Sequence, residues 1–172
     1  SGPGTVGAMK PMDLETESEV FGAADVTHLS WKNLLDSYAC TECGRCTAVC
    51  PANLTGKMLS PRKIVVNTRQ RLGEVAPALV GGDDVFGMPL IGAPAGDDAS
   101  RAAVLDHRLL DNFITEEELW ACTSCRACVY ECPVLIEHVD SIVDMRRYLV
   151  LMEGDMPDLL GNAMMQAERA GN

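Results

Sequence analysis

The chain has 172 residues, of which 47% are hydrophobic and 23% are charged, and this is the composition of one or two ordinary folded domains. Its 25 acidic and 14 basic residues give a formal net charge of −11, which argues against binding to nucleic acid or to anionic lipid, since both depend on cations. No apolar run approaches the roughly 18 residues of a membrane span. The exceptional feature of the composition is its eight cysteines.

The N-terminal part of the chain predicts an arm followed by a helix. Residues 1–29 combine glycine and proline with an acidic patch and show no apolar period, so they are predicted to be a linker or an extended arm. Ser30 is a favourable N-cap residue, and the helix predicted after it carries Leu34, Leu35 and Tyr38 towards the first cysteine.

The second predicted helix is basic. Ser60 as the cap and Pro61 at the first helical position indicate its start, and Gly73 is predicted to close it after Leu72. We expect its cations to pair with the acidic segment 76–121 rather than to dock an acidic partner, since most surface charge runs are solvated or paired internally. These cations are Arg62, Lys63, Arg69 and Arg71.

A long irregular insertion, residues 76–114, is predicted between the two groups of cysteines. Residues 76–99 are rich in glycine and proline, which indicates a loop, with one short β-hairpin near residues 88–91. A helix over about residues 100–112 is expected to complete the insertion. Little else in the sequence is typical of a strand.

The remaining predicted elements are helices, so the fold class is mostly α. Thr115 and Glu118 form a capping box that opens a short helix before the second group of cysteines. A longer helix after that group is predicted to end at Gly154, and Pro157 opens a last amphipathic helix, with residues 161–172 as its C-terminal part. The longer helix is predicted from an apolar face of Ile142, Met145, Leu149 and Met152.

The eight cysteines form two copies of the pattern C-x2-C-x2-C-x3-C followed by proline. The first copy is Cys40, Cys43, Cys46 and Cys50, and the second is Cys122, Cys125, Cys128 and Cys132. The pattern resembles the run of bacterial ferredoxins, in which three cysteines hold one [4Fe–4S] cluster and the fourth ligates the other. The resemblance implies that Cys132 completes cluster 1 with the first three cysteines, and that Cys50 completes cluster 2. A structural zinc site and a disulfide scaffold are the disfavoured alternatives. Zinc usually takes two separate C-x2-C pairs, and the repeated spacing argues against a disulfide scaffold.

Four further residues near the cysteines have two interpretations each. Arg45 and Arg126 lie between the second and third cysteines of their motifs, where they either stabilise an added electron or simply solubilise the surface. Gly44 either allows the backbone to approach a sulfur closely or serves a turn. His138 is a candidate ligand, but we interpret it as a helix-start or packing residue, because eight cysteines already supply eight ligand positions.

The residues around both motifs resemble a known family. Segments 38–52 and 118–133 resemble the dicluster domain of heterodisulfide-reductase-related iron–sulfur proteins, and residues 136–150 are similar to one branch of it. That branch comprises membrane-bound reductases that pass electrons from electron-transfer flavoprotein to quinone. The resemblance covers residues 30–160 and implies an α-helical, ferredoxin-like dicluster domain there.

In that branch the dicluster domain lies between a membrane part and cysteine-rich domains with CCG motifs. The sequence contains no Cys-Cys-Gly and no Gly-x-Gly-x-x-Gly, so we interpret it as an excised domain or a separate small subunit. The membrane part and the CCG-type domains are then expected in the parent chain or in a partner subunit.

The resemblance implies an electron-transfer module without a substrate-converting site of its own. We expect a relay through two [4Fe–4S] clusters, from a flavoprotein donor to a quinone-linked acceptor. The expected location is the cytoplasm, at the inner face of the cell membrane. Alternatives are the iron–sulfur subunit of a glycolate, lactate or glycerol-phosphate dehydrogenase complex, or a structural docking module. No nucleic-acid partner is expected.

Overall fold

The computed structural model describes residue 12, residues 20–80 and residues 98–171 of the chain. This part of the molecule is mostly helical, and no strand forms within it. The helices are α1 (Trp31–Ala39), α2 (Arg45–Ala48), α3 (Pro51–Leu54), α4 (Pro61–Val80), α5 (Asp98–Asp106), α6 (Leu109–Asn112), α7 (Glu116–Trp120), α8 (Ala127–Tyr130), α9 (His138–Tyr148) and α10 (Asp158–Ala170). The mostly α fold class predicted from the sequence is therefore confirmed.

Helix α4 is the central element of the fold. It contacts α1, α2, α5, α6 and α9, and it contributes Ile64 and Val75 to the main apolar core. Helix α9 adds Ile142 and Met145 from its inner face, as the apolar period predicts. The short helices α2 and α8, one within each cysteine motif, contact each other, so the packing brings the two motifs together.

The three side-chain helix caps predicted from the sequence form in the structure, including that of Ser60, whose hydroxyl accepts from the Lys63 amide at 3.4 Å. The Ser30 hydroxyl accepts a hydrogen bond from the Asn33 amide at 3.3 Å and caps α1. At α7 both halves of the capping box are present: the Thr115 hydroxyl accepts from the Glu118 amide at 3.3 Å, and the Glu118 carboxylate accepts from the Thr115 amide at 3.0 Å. These signals were predictable because a cap depends only on residues three positions apart.

Replacing Thr115 by alanine is expected to lower the free energy of unfolding by about 1 kcal/mol, because the Glu118 amide loses its hydrogen-bond acceptor. Chemical denaturation of the intact protein measures the change. Thr55→Ala is the matched control, since its exposed hydroxyl donates only to carbonyls of its own helix, and we expect a change within about 0.5 kcal/mol. Equal losses in the two variants would contradict the role of the capping box.

The prediction that Gly73 closes the basic helix is wrong. Helix α4 passes through Gly73 and continues to Val80. Val75, in the added turn, is 1% exposed in the main core, and burial of such a side chain outweighs the roughly 1 kcal/mol cost of a glycine in a helix. The tertiary contact therefore overrides the local stop signal.

The insertion differs from its prediction in its helices. Residues 76–80 belong to α4, and the helix expected over residues 100–112 is divided into α5 and α6. The β-hairpin expected near residues 88–91 lies outside the described residues.

Three of the four basic side chains of α4 form ion pairs with described residues, and one of these three pairs is with the predicted segment 76–121. Lys63 forms an ion pair with Glu118 of the segment 76–121, with a distance of 2.7 Å between Nζ and Oε1. The other two carboxylates come from elsewhere in the chain. Arg69 pairs with Glu42, and Arg71 pairs with Asp25 at 2.8 Å.

Residues 20–29 of the predicted arm are irregular except for one 3-10 turn, Val26–His28, and they pack on the core. Gly22 lies so close to α9 that a Cβ atom there would stand 2.4 Å from the Asp144 carbonyl oxygen. Four apolar side chains of this segment are buried: Ala23, Ala24, Val26 and Leu29. The division of the chain at residues 30 and 160 stays a prediction.

The C-terminal helices begin and end near their predicted signals. Helix α9 continues as a π-helical turn, Leu149–Glu153, and ends at Gly154 in the left-handed conformation. Pro157 is the N-cap of α10, which buries none of its residues.

Candidate iron–sulfur site

The two cysteine motifs adopt the same backbone conformation. Glu42 and Ser124, each just before the second cysteine, have φ angles of 56° and 53°. Gly44 and Arg126, each just after it, have φ angles of 80° and 63° and are followed directly by α2 and α8. The repeated pattern of left-handed residues curves each segment around a common centre, so the motifs are equivalent in structure as well as in sequence.

Two cavities, each with about 300 Å³ of space that is partly open to solvent, adjoin the motifs. We call them site 1 and site 2. The cysteines that line site 1 are Cys40, Cys43, Cys46 and Cys132. The cysteines that line site 2 are Cys122, Cys125, Cys128 and Cys50. Each cavity thus meets three cysteines of one motif and the last cysteine of the other.

The thiols differ in exposure and in their hydrogen bonds. Cys43 and Cys125 are exposed, whereas the third and fourth cysteines of both motifs are buried, and none forms a disulfide. The Ile136 amide donates to the Cys132 sulfur at 3.4 Å, and the Ser124 amide donates to the Cys122 sulfur at 3.4 Å. Such N–H donors stabilise negative charge on sulfur, so these backbones suit thiolate ligands.

Burial makes two of these thiols weaker acids than an exposed cysteine. It raises the pKa of Cys46, and it raises the pKa of Cys128 to about 12. At neutral pH both side chains stay protonated unless a cation compensates the thiolate, and bound iron supplies that charge. The donor set, four sulfurs around each cavity, therefore fits an iron–sulfur cluster, and its binding couples to deprotonation.

An arginine contacts the carbonyl oxygen of the first cysteine in each motif. Arg69 of α4 donates to the Cys40 carbonyl at 3.2 Å, and Arg146 of α9 donates to the Cys122 carbonyl. Arg146 also donates from Nε to the Leu119 carbonyl at 3.0 Å and stacks over the Trp120 ring at 5.0 Å. Burial lowers the pKa of Arg146, yet a guanidinium remains charged at any physiological pH.

Sequence reasoning did not place Arg69 or Arg146 at the cysteine motifs. It selected Arg45 and Arg126 there instead. Arg126 lines site 2, but Arg45 is exposed and does not line site 1. The two are not at equivalent positions, because the residue that matches Arg126 in the first motif is Gly44. Nothing in the local sequence singles out Arg69 or Arg146, since each lies a full helix away from the carbonyl that it contacts.

The buried histidine at the start of α9 also lines site 1. His138 shares a 3.0 Å hydrogen bond between Nδ1 and the Ile136 carbonyl, and burial lowers its pKa to about 4. It is therefore neutral at pH 7 and fixes the conformation of the residue whose amide donates to Cys132. This fits the interpretation of His138 as a helix-start and packing residue.

Comparison with known proteins agrees with this geometry. The family model described as "4Fe-4S dicluster domain" matches residues 39–136. The chain belongs to this family. Its iron–sulfur character follows from this match, and the relatives described next link it to oxidoreductases.

Three curated relatives illustrate the proteins to which the chain is similar. The probable iron-sulfur-binding oxidoreductase FadF of Bacillus subtilis is 43% identical over 98% of this chain and 26% of its own length. The EtfAB:quinone oxidoreductase of Syntrophomonas wolfei is 38% identical over 91% of this chain and 22% of its own. One component of the ferredoxin/F420H2-dependent CoB-CoM heterodisulfide reductase of Methanosarcina acetivorans is 30% identical over 71% of this chain and 51% of its own.

The chain spans about a quarter of the length of the first two relatives. No solved structure matches it significantly. Within the described ranges, 20–80 and 98–171, the helices are too short or too polar to cross a bilayer.

Proposed function

We propose that the chain carries single electrons through two [4Fe–4S] clusters held by crossed ligation. Site 1 would hold its cluster with Cys40, Cys43, Cys46 and Cys132, and site 2 with Cys122, Cys125, Cys128 and Cys50. The observation that carries this proposal is the lining of the two cavities, each with three cysteines of one motif and one of the other. A cluster held by four thiolates keeps no open coordination position, so it exchanges an electron without binding a substrate.

We further propose an electron-transfer flavoprotein as the donor and a quinone-linked acceptor. The support is the name of the Syntrophomonas wolfei relative, an EtfAB:quinone oxidoreductase, together with the similarity of residues 136–150 to that branch. Quinones dissolve in the bilayer, so this assignment implies attachment at the inner face of the cell membrane through further polypeptide or a partner subunit. Those additional parts would supply the substrate chemistry.

Metal and sulfide analysis of anaerobically purified protein tests the cofactor content. We expect eight iron atoms and eight acid-labile sulfides per chain, together with a paramagnetic signal that appears on one-electron reduction and disappears on reoxidation. Zinc in place of iron, or four irons per chain, would contradict the two-cluster assignment. Eight irons without any reducible signal would instead favour a structural docking module.

A second experiment tests the donor and the acceptor. The complete protein in membranes should be reduced by a reduced electron-transfer flavoprotein, and added quinone should reoxidise it. A protein that is reduced by glycolate, lactate or glycerol phosphate through its native partners, and not by the flavoprotein, would place it with those dehydrogenase complexes instead.

A further inference from the structure

The two sites share one backbone but differ in charge at equivalent positions. Before the second cysteine, the first motif carries Glu42 and the second motif carries Ser124. After the second cysteine, the first motif has Gly44 and the second has Arg126. Since the φ angles at these positions match, the side chains start from equivalent places. Each difference makes site 2 more positive than site 1 by one charge.

The arginines at the first-cysteine carbonyls reinforce this difference. Arg69, beside site 1, forms an ion pair with Glu42, so its charge is largely compensated. Arg146, beside site 2, is held by the Leu119 and Cys122 carbonyls and by the Trp120 ring. In the described part of the chain no carboxylate forms an ion pair with Arg146. Its positive charge is fixed next to a ligand of site 2, and no carboxylate of the described residues offsets it.

With the remaining charged side chains at the cavities included, site 2 is still more positive than site 1. Arg62 lines site 1, with Nη1 3.8 Å from where a Cβ atom of Gly44 would lie, and it adds one cation there. The charged side chain that lines site 2 is Arg126. Counting these residues and the two carbonyl-bound arginines, site 1 has two cations and one anion, whereas site 2 has two cations and no anion. A reduced cluster is more negative than an oxidised one, so the more positive surroundings favour reduction at site 2.

We propose that site 2 has the higher reduction potential of the two, and that the charges of Arg146 and Glu42 set this order. The inference rests on the proposed function, since it requires a cluster at each site. One electron from a reduced flavoprotein then comes to rest at site 2, leaving site 1 oxidised. The charges of the protein thus favour electron flow from site 1, on the side of Cys43, to site 2, on the side of Cys125.

Redox titration of the complete, cluster-loaded protein, followed by electron paramagnetic resonance, tests this order. Arg146→Gln keeps a donor for the carbonyls and removes the charge, so the equilibrium constant for reduction of the higher-potential cluster should fall about tenfold, which is ~59 mV for a one-electron couple. Glu42→Ser introduces the residue of the second motif and should raise the lower potential by a smaller amount, because the Glu42 carboxylate is half exposed. Both changes narrow the gap between the potentials.

Two control variants separate charge from structure. Arg146→Lys keeps the charge. The equilibrium constant for reduction of the higher-potential cluster should therefore stay within about threefold of its original value. Arg45→Gln removes a cation of the first motif that does not line site 1. It should change neither equilibrium constant for reduction by more than about threefold.

The outcomes distinguish this inference from the proposed function. If Arg146→Gln lowers the lower potential, shifts both potentials equally or shifts neither, the order proposed here is wrong. A shift from Arg45→Gln as large as that from Arg146→Gln would also overturn it. Fewer than eight irons in the unmodified protein would defeat the two-cluster assignment itself, whatever the variants do.

Discussion

Cys50→Ser is expected to remove the cluster of site 2, not the cluster held by its own motif. Cys50 is 6% exposed and lines the cavity of Cys122, Cys125 and Cys128, so crossed ligation makes it the fourth ligand there. A serine hydroxyl is a poor substitute for a thiolate on iron. We expect iron to fall from eight to about four atoms per chain, with one cluster still reducible.

Comparison with two matched variants identifies the cluster that is lost. Cys43 and Cys125 are the exposed second cysteines of the two motifs. Under crossed ligation, the electron paramagnetic resonance spectrum of Cys50→Ser should match that of Cys125→Ser and differ from that of Cys43→Ser. Cys132→Ser should show the reverse match. If Cys50→Ser instead resembles Cys43→Ser, each motif holds its own cluster and the crossed assignment fails.

Arg71→Met is expected to lower the free energy of unfolding by about 3–5 kcal/mol, the usual cost of removing one partner of a buried ion pair. The Arg71 side chain is 1% exposed and binds both carboxylate oxygens of Asp25, at 2.9 and 2.8 Å. It also donates to the carbonyls of Val104 and His107, and so joins the arm, α4 and the end of the insertion. Its loss removes the cationic partner of a largely buried carboxylate, which keeps the Leu109 amide as a donor, and takes from two carbonyls the donor that Arg71 supplied.

Denaturation of the anaerobic, cluster-loaded protein measures this loss, with Arg108→Met as the control. Arg108 pairs with Asp111 and Glu153 on the surface, where an ion pair contributes at most about 1 kcal/mol. In the double variant Asp25→Asn/Arg71→Met, the unpaired charge is gone, so the combined loss should be smaller than the sum of the single losses. Equal effects of Arg71→Met and Arg108→Met would show that the buried pair has no special role.

The features predicted correctly are those that depend on neighbouring residues. Ser30, the capping box of Thr115 and Glu118, and Gly154 each act within one helical turn, so their chemistry is visible in the sequence. Gly73 carries the same kind of local signal and misled the prediction, because the burial of Val75 in the core outweighs it.

The cysteines that line the two cavities were visible in the sequence, whereas the charges around them were not. Cysteine spacing identifies the eight thiols, but the arginine that contacts each first-cysteine carbonyl comes from a distant helix. The packing of α4 and α9 decides which cation reaches which motif, and no local pattern records that packing. Arg45 and Arg126 were candidates only because they lie close in sequence to the cysteines.

By itself, the sequence determined the helical class and the iron–sulfur type of cofactor, and it predicted the eight cysteines as ligands, because thiol spacing and helix capping are short-range chemistry. Only the tertiary structure decided which cysteines line a common cavity and that Asp25 of the arm meets Arg71. It also decided that Arg69 pairs with Glu42, whereas Arg146 is held by carbonyls and the Trp120 ring. These features depend on contacts between segments far apart in the chain, where the packing of whole helices, rather than the preference of any one residue, sets the distances.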